Sequence, residues 1–78
     1  MDKIDAGMIV THYKHPTRRY EVVGVGKDSG DLEEVVIYKA LFQAEFKFGT
    51  LWVRPLSEFI ETLVIDGKEV ERFREINE

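Results

Sequence analysis

Glu33-Glu34-Val35-Val36-Ile37-Tyr38-Lys39-Ala40-Leu41-Phe42 is the stretch that sets the fold class. It is rich in β-branched and aromatic residues and free of glycine and proline, which is the composition of a strand. Alternation places Val35, Ile37 and Leu41 on one face, interrupted by Lys39. Val36, Tyr38, Ala40 and Phe42 share the other. Apolar residues on both faces predict a central strand, or one whose second face meets a partner.

The segments on either side read the same way. Residues 8–14, after Gly7, form a β-branched and aromatic first strand, and His15-Pro16-Thr17-Arg18 reads as a turn because Pro16 lacks a donor and fixes its φ. Residues 19–27 alternate Tyr20, Val22, Gly24 with Glu21, Val23, Val25, and the glycines at 24 and 26 suggest a bulge or a barrel corner. Asp28-Ser29-Gly30-Asp31 is a strong turn signal. Residues 43–50 are a connection in which Phe46 and Phe48 could prolong the sheet. Residues 51–54 form a short strand, with Leu51 and Val53 expected toward the core and Trp52 and Arg54 away from it. Pro55 suits the start of a helix of one to two turns over residues 55–61. Residues 62–65 and 68–72 flank Asp66-Gly67, the pair that a type I′ hairpin turn prefers. Phe73 and Ile76 are expected to anchor the tail.

Short strands joined by tight turns predict a mainly β domain spanning residues 1–78. The expected form is a small antiparallel SH3-like barrel, or a more open curled sheet, of five to six strands with one short helical turn.

The chain has 78 residues and no cysteine, so its thin core has no disulfide to support it and no thiolate metal site or cysteine nucleophile exists. A hydrophobic fraction of 44%, with 12% aromatic residues, is enough to build a core. The start, Met1-Asp2-Lys3-Ile4-Asp5, is too acidic for a secretory signal, and the longest unbroken aliphatic runs, such as Val35-Val36-Ile37, are three residues. The expectation is a cytoplasmic protein with no membrane association. The net charge of −4, from 11 basic and 15 acidic residues, argues against a nucleic-acid polymer as partner. The charge is uneven: residues 12–20 carry Lys14, Arg18 and Arg19 and no acid, while residues 57–78 carry seven acids against three bases.

Tyr13-Lys14, Tyr20-Glu21-Val22-Val23-Gly24-Val25, the run from Leu32 to Phe42, and Leu51-Trp52-Val53-Arg54-Pro55-Leu56 with Phe59 resemble the bacterial family called domain of unknown function 1653. The likeness covers roughly residues 7–74, and Trp52-Val53-Arg54-Pro55 with Phe59 is its most specific part. It implies a small bacterial cytosolic protein and no particular activity.

The chemistry-bearing residues point away from catalysis. His12 and His15, three apart on a strand, face opposite ways and cannot share a metal unless the chain turns between them. Ser29 and Ser57 lie in no nucleophile elbow, and Gly24-Val25-Gly26 lacks the third glycine of a dinucleotide fingerprint. No cofactor is expected. The aromatic and charged set is more informative: Tyr13, Lys14, Tyr20, Glu21, Tyr38, Phe42, Trp52 and Arg54 are the candidate ligand-binding residues. Such side chains, gathered by a small barrel, could stack on a base, a peptide aromatic or a cation. The same rings could instead be the core of a leucine-poor domain. The reading is a non-enzymatic binding module for a peptide or nucleotide-like ligand; the alternative is a protein–protein or self-association domain, such as a homodimer, that uses the same face.

Overall fold

The computed structural model describes residues 3–77. In chain order the elements are β1 (Ile9–His12), β2 (His15–Lys27), β3 (Glu34–Ala40), β4 (Leu51–Pro55), α1 (Leu56–Phe59), β5 (Thr62–Ile65), β6 (Lys68–Glu71) and β7 (Phe73–Glu75). The first four strands and β7 form one antiparallel sheet in the order β4-β3-β2-β1-β7, and β5 and β6 form a separate hairpin. The mainly β fold with one helical turn is as expected. The sheet takes the open, curled form and does not close.

The curl is strong. Four strand spacings separate β4 from β7, about 19 Å in a flat sheet. The Arg54 guanidinium of β4 nevertheless lies 5.6 Å from the Phe73 ring of β7. Phe73 also reaches Tyr38 at 5.4 Å between ring centroids and stacks on Phe59 of α1 at 4.2 Å, with 8° between the planes. The core is therefore the inside of the rolled sheet, stoppered by α1: Val10, Val22, Val36, Tyr38, Phe59 and Phe73, with Ile4, Met8, Tyr20 and Leu56 packed against them.

Several local expectations are corrected. The first turn is at Tyr13 and Lys14, and residues 15–18 belong to β2. Thr11 pairs with Arg19 and His12 with His15, so Pro16, Thr17 and Arg18 fall between two registered pairs as an extended bulge. A bulge is where a strand tolerates a proline, because no ladder donor is needed there. The helix is the single turn Leu56–Phe59, with Pro55 as its N-cap. Phe73 is more than a tail anchor, since it opens β7 and is 2% exposed. Residues 43–50 contain no strand.

The largest correction concerns β4. Its register pairs Trp52 with Tyr38 and Arg54 with Val36, and both partners are buried. Directly opposed residues share a face, so Trp52 and Arg54 lie on the concave side. Leu51 and Val53, expected inside, are 60% and 61% exposed on the convex side. Trp52 is 38% exposed at the mouth of the concave face.

Candidate functional site

The curl leaves a cleft of about 310 Å³ on the concave side, on the open flank of the aromatic core. β2 contributes Tyr20, β3 Tyr38, and β4 both Trp52 and Arg54, placed on one face by the cross-strand register. β7 supplies Phe73 and β1 His12. The rim is made by Lys14 of the β1–β2 turn with His15 and Arg18 of β2, and by Glu45 and Phe46 between β3 and β4.

The aromatic rings brace one another edge to face, an arrangement that the ring quadrupoles favour. Tyr20 meets Tyr38 at 5.3 Å and Phe42 at 5.2 Å; Phe42 meets Phe46 at 5.4 Å, and Phe46 meets Trp52 at 5.0 Å. Phe46 closes a row that runs from the sheet through the loop back to β4. Its role was not visible in the sequence, where Glu45-Phe46-Lys47-Phe48 reads as alternation without a destination.

The cations differ in how they are held. The Nη1 group of Arg54 donates to Glu58 Oε1 at 3.2 Å, four residues on, while the guanidinium also lies over Phe73; its Nε is buried without a hydrogen-bond partner among the described residues. Arg18 sits 5.2 Å from the Phe42 ring and Lys14 5.9 Å from the Tyr13 ring. Neither has a carboxylate partner among the described residues.

His12 is held neutral by burial and by neighbouring cations. Burial, and then the charges of Arg54, Arg72, Lys14 and His15, push its pKa down from 6.5 to about 4. The Lys14 backbone N–H donates to His12 Nδ1 at 3.2 Å, so the neutral ring carries its proton on Nε2. Tyr20 titrates above the ordinary tyrosine value because of burial and then its neighbour Tyr38.

Of the residues singled out from sequence, the cleft brings together Lys14, Tyr20, Tyr38, Trp52 and Arg54. Phe42 stands behind them, braced between Tyr20 and Phe46. Tyr13 stacks on His12 at 4.7 Å and opens onto a different cavity, of about 390 Å³, beside Val70 of β6. Glu21 lies outside the cleft, ion-paired with Lys39 at 3.4 Å. His12, His15, Arg18, Glu45, Phe46 and Phe73 were not anticipated. Their signal was weak because three of them sit in or beside the misplaced first turn and two in an irregular connection. Among the described residues no group of three or more His, Cys, Asp or Glu side chains is placed to hold a metal ion.

Two other cavities are lined differently. The one beside Val70 has two glutamates and Arg74 in its wall, and another of about 410 Å³ is bounded by Leu32, Leu56 and Ile60 beside Glu33 and Glu34. Both are larger than the aromatic cleft, but neither combines several rings with several cations.

Comparison with known proteins adds the family. No curated protein matches the chain. The crystal structure of a protein of the DUF1653 family from Bordetella bronchiseptica is similar over 97% of this chain and 91% of that one, with a TM-score of 0.75 and 25% identity. The profile of the family described as "Protein of unknown function (DUF1653)" matches residues 8–75, which include every strand from β1 to β7. The chain belongs to that family.

Proposed function

We propose that this protein is a non-enzymatic binding module whose concave cleft takes a peptide or nucleotide-like ligand. One observation carries the reading: Tyr20, Tyr38 and Trp52 from three adjacent strands converge with Lys14, Arg18 and Arg54 in one concave space of about 310 Å³. Ligand sites are concave, mostly apolar and fixed by a few polar groups, and this volume is at the small end of their range. Catalysis has less support. His12 holds its proton weakly, its Nδ1 is engaged by backbone, and no serine, threonine or cysteine lines the cleft. No helix among the described residues is long and apolar enough to cross a membrane, and the proposed setting is the cytoplasm.

Trp52→Ala tests the reading through native mass spectrometry of protein purified without denaturation. The expected result is a folded variant that no longer retains a small molecule held by the wild type. Equal retention by the folded variant contradicts it.

A second reading, self-association, rests on another surface. Leu51 and Val53 are exposed on the convex face of an edge strand, and Val53 pairs with Ile37. Two copies meeting there would form an isologous contact. Sedimentation of Val53→Asp tests this: a dimeric wild type and a monomeric variant support it, and a monomeric wild type at high concentration rejects it.

A further inference from the structure

We propose that the ligand of this cleft is a mononucleotide-type molecule, a planar ring seated between Tyr20 and Trp52 with its phosphate held by Lys14 and Arg18. This rests on the binding reading above and adds the ligand's chemistry. The cleft wall contains three permanent cations, Lys14, Arg18 and Arg54, against one carboxylate, Glu45, in a chain whose net charge is −4. Positive charge is concentrated where the concavity is, which selects an anion.

The cations are not equivalent. Arg54 is already countered by Glu58, so it shapes the floor. Arg18 and Lys14 have no carboxylate partner among the described residues, and each is near an aromatic ring that holds it without cancelling its charge. Two uncancelled cations on one rim match a phosphate dianion better than a singly charged carboxylate. Next to them, Tyr20, Phe46 and Trp52 provide the aromatic surface on which a base stacks. A polymer is disfavoured, because affinity for a nucleic-acid chain needs cations along a track and residues 57–78 carry seven acids against three bases.

The chain's single tryptophan is Trp52, so its fluorescence reports on the cleft directly. The probes are the four ribonucleoside 5′-monophosphates, adenosine, inorganic phosphate, and N-acetylphenylalanine as a ring bearing a carboxylate. At least one monophosphate is expected to bind with a Kd below about 1 mM. It should bind at least about tenfold more tightly than adenosine or phosphate alone, an advantage that salt reduces. Arg18→Gln, shown to be folded by its amide spectrum, should reduce the monophosphate-over-adenosine ratio by most of that factor, and an unchanged ratio in the folded variant overturns the phosphate assignment. Adenosine binding as tightly as AMP overturns the phosphate assignment and leaves the cleft reading standing. N-acetylphenylalanine binding where all four monophosphates fail overturns the proposal in favour of a peptide terminus. Silence from every probe overturns the proposal, and the cleft reading then falls only if unbiased ligand mapping also leaves the cleft untouched.

Discussion

Trp52 and Arg54 face inward because their cross-strand partners do. Alternation along 51–54 fixes that Trp52 opposes Leu51 and Val53, but it does not say which set faces the core. Hydrophobicity favours Leu51 and Val53 for the interior. The register with Tyr38 and Val36 decides otherwise, because this face is filled by large rings and needs an indole and a guanidinium stem to cover its mouth. Trp52 should therefore behave as a rim residue and Phe59 as core. Phe59→Ala is expected to cost about 3–5 kcal/mol, as for other fully buried aromatics, and Trp52→Ala about half that or less. Chemical denaturation of the two variants checks this, and equal losses would place Trp52 in the core.

His12 gives a residue-scale prediction in pH. Its folded pKa of about 4 lies below the ordinary 6.5, so between those values the unfolded chain binds more protons than the folded one. Its contribution to stability is fully present above pH 6.5, falls as the pH drops from 6.5 to 4, and is constant below. His12→Gln should flatten that part of the stability curve, and an NMR titration of the imidazole should give a midpoint near 4. A midpoint near 6.5 would mean that neither burial nor the charges of Arg54, Arg72, Lys14 and His15 act on the ring.

At the scale of elements, the hairpin was the most legible part of the chain and the first turn the least. Asp66 has φ 51° and Gly67 φ 79°, the pair of positive values that a two-residue type I′ turn requires. Leu63 and Val70 pair across the hairpin and are half-buried, while Val64 on the other side is 71% exposed. Gly67→Val puts a β-branched residue at positive φ and should cost more than about 1 kcal/mol, with faster amide exchange across β5 and β6. Unchanged exchange and melting temperature would contradict the turn assignment. The first turn was misplaced because Pro16 is a turn signal that a bulge also accepts. That bulge carries Arg18 to the cleft rim, so the same ambiguity hid both the register of β2 and one of its site residues. Phe46 was hidden for a related reason: no periodicity governs an irregular loop, and only the rolled sheet shows what Phe46 packs against.

At the scale of the molecule, the curl makes the cleft. A flat sheet with the same register would hold Phe73 and Arg54 far apart and have no concave side. Strong twist and bulges in β2, at 16–18 and between Val22 and Gly24, bend it enough to bring β7 beneath β4. The mainly β class was readable from composition and alternation, but this curl depends on long-range packing that no local pattern contains. The charge distribution adds a prediction: a generic oligonucleotide should show at most weak binding at low salt, and sub-micromolar affinity at physiological salt would contradict the account. The central claim is that the concave aromatic and cationic cleft is where this domain binds its ligand. Amide and side-chain NMR shift mapping with a library of small charged and aromatic fragments tests it most directly. The account predicts perturbations clustered on Tyr20, Tyr38, Trp52 and Arg54 with the adjoining rim at Lys14 and Arg18. Perturbations clustered instead around Thr11 and Val70, or on Leu51 and Val53, or absent from the cleft altogether, would contradict it.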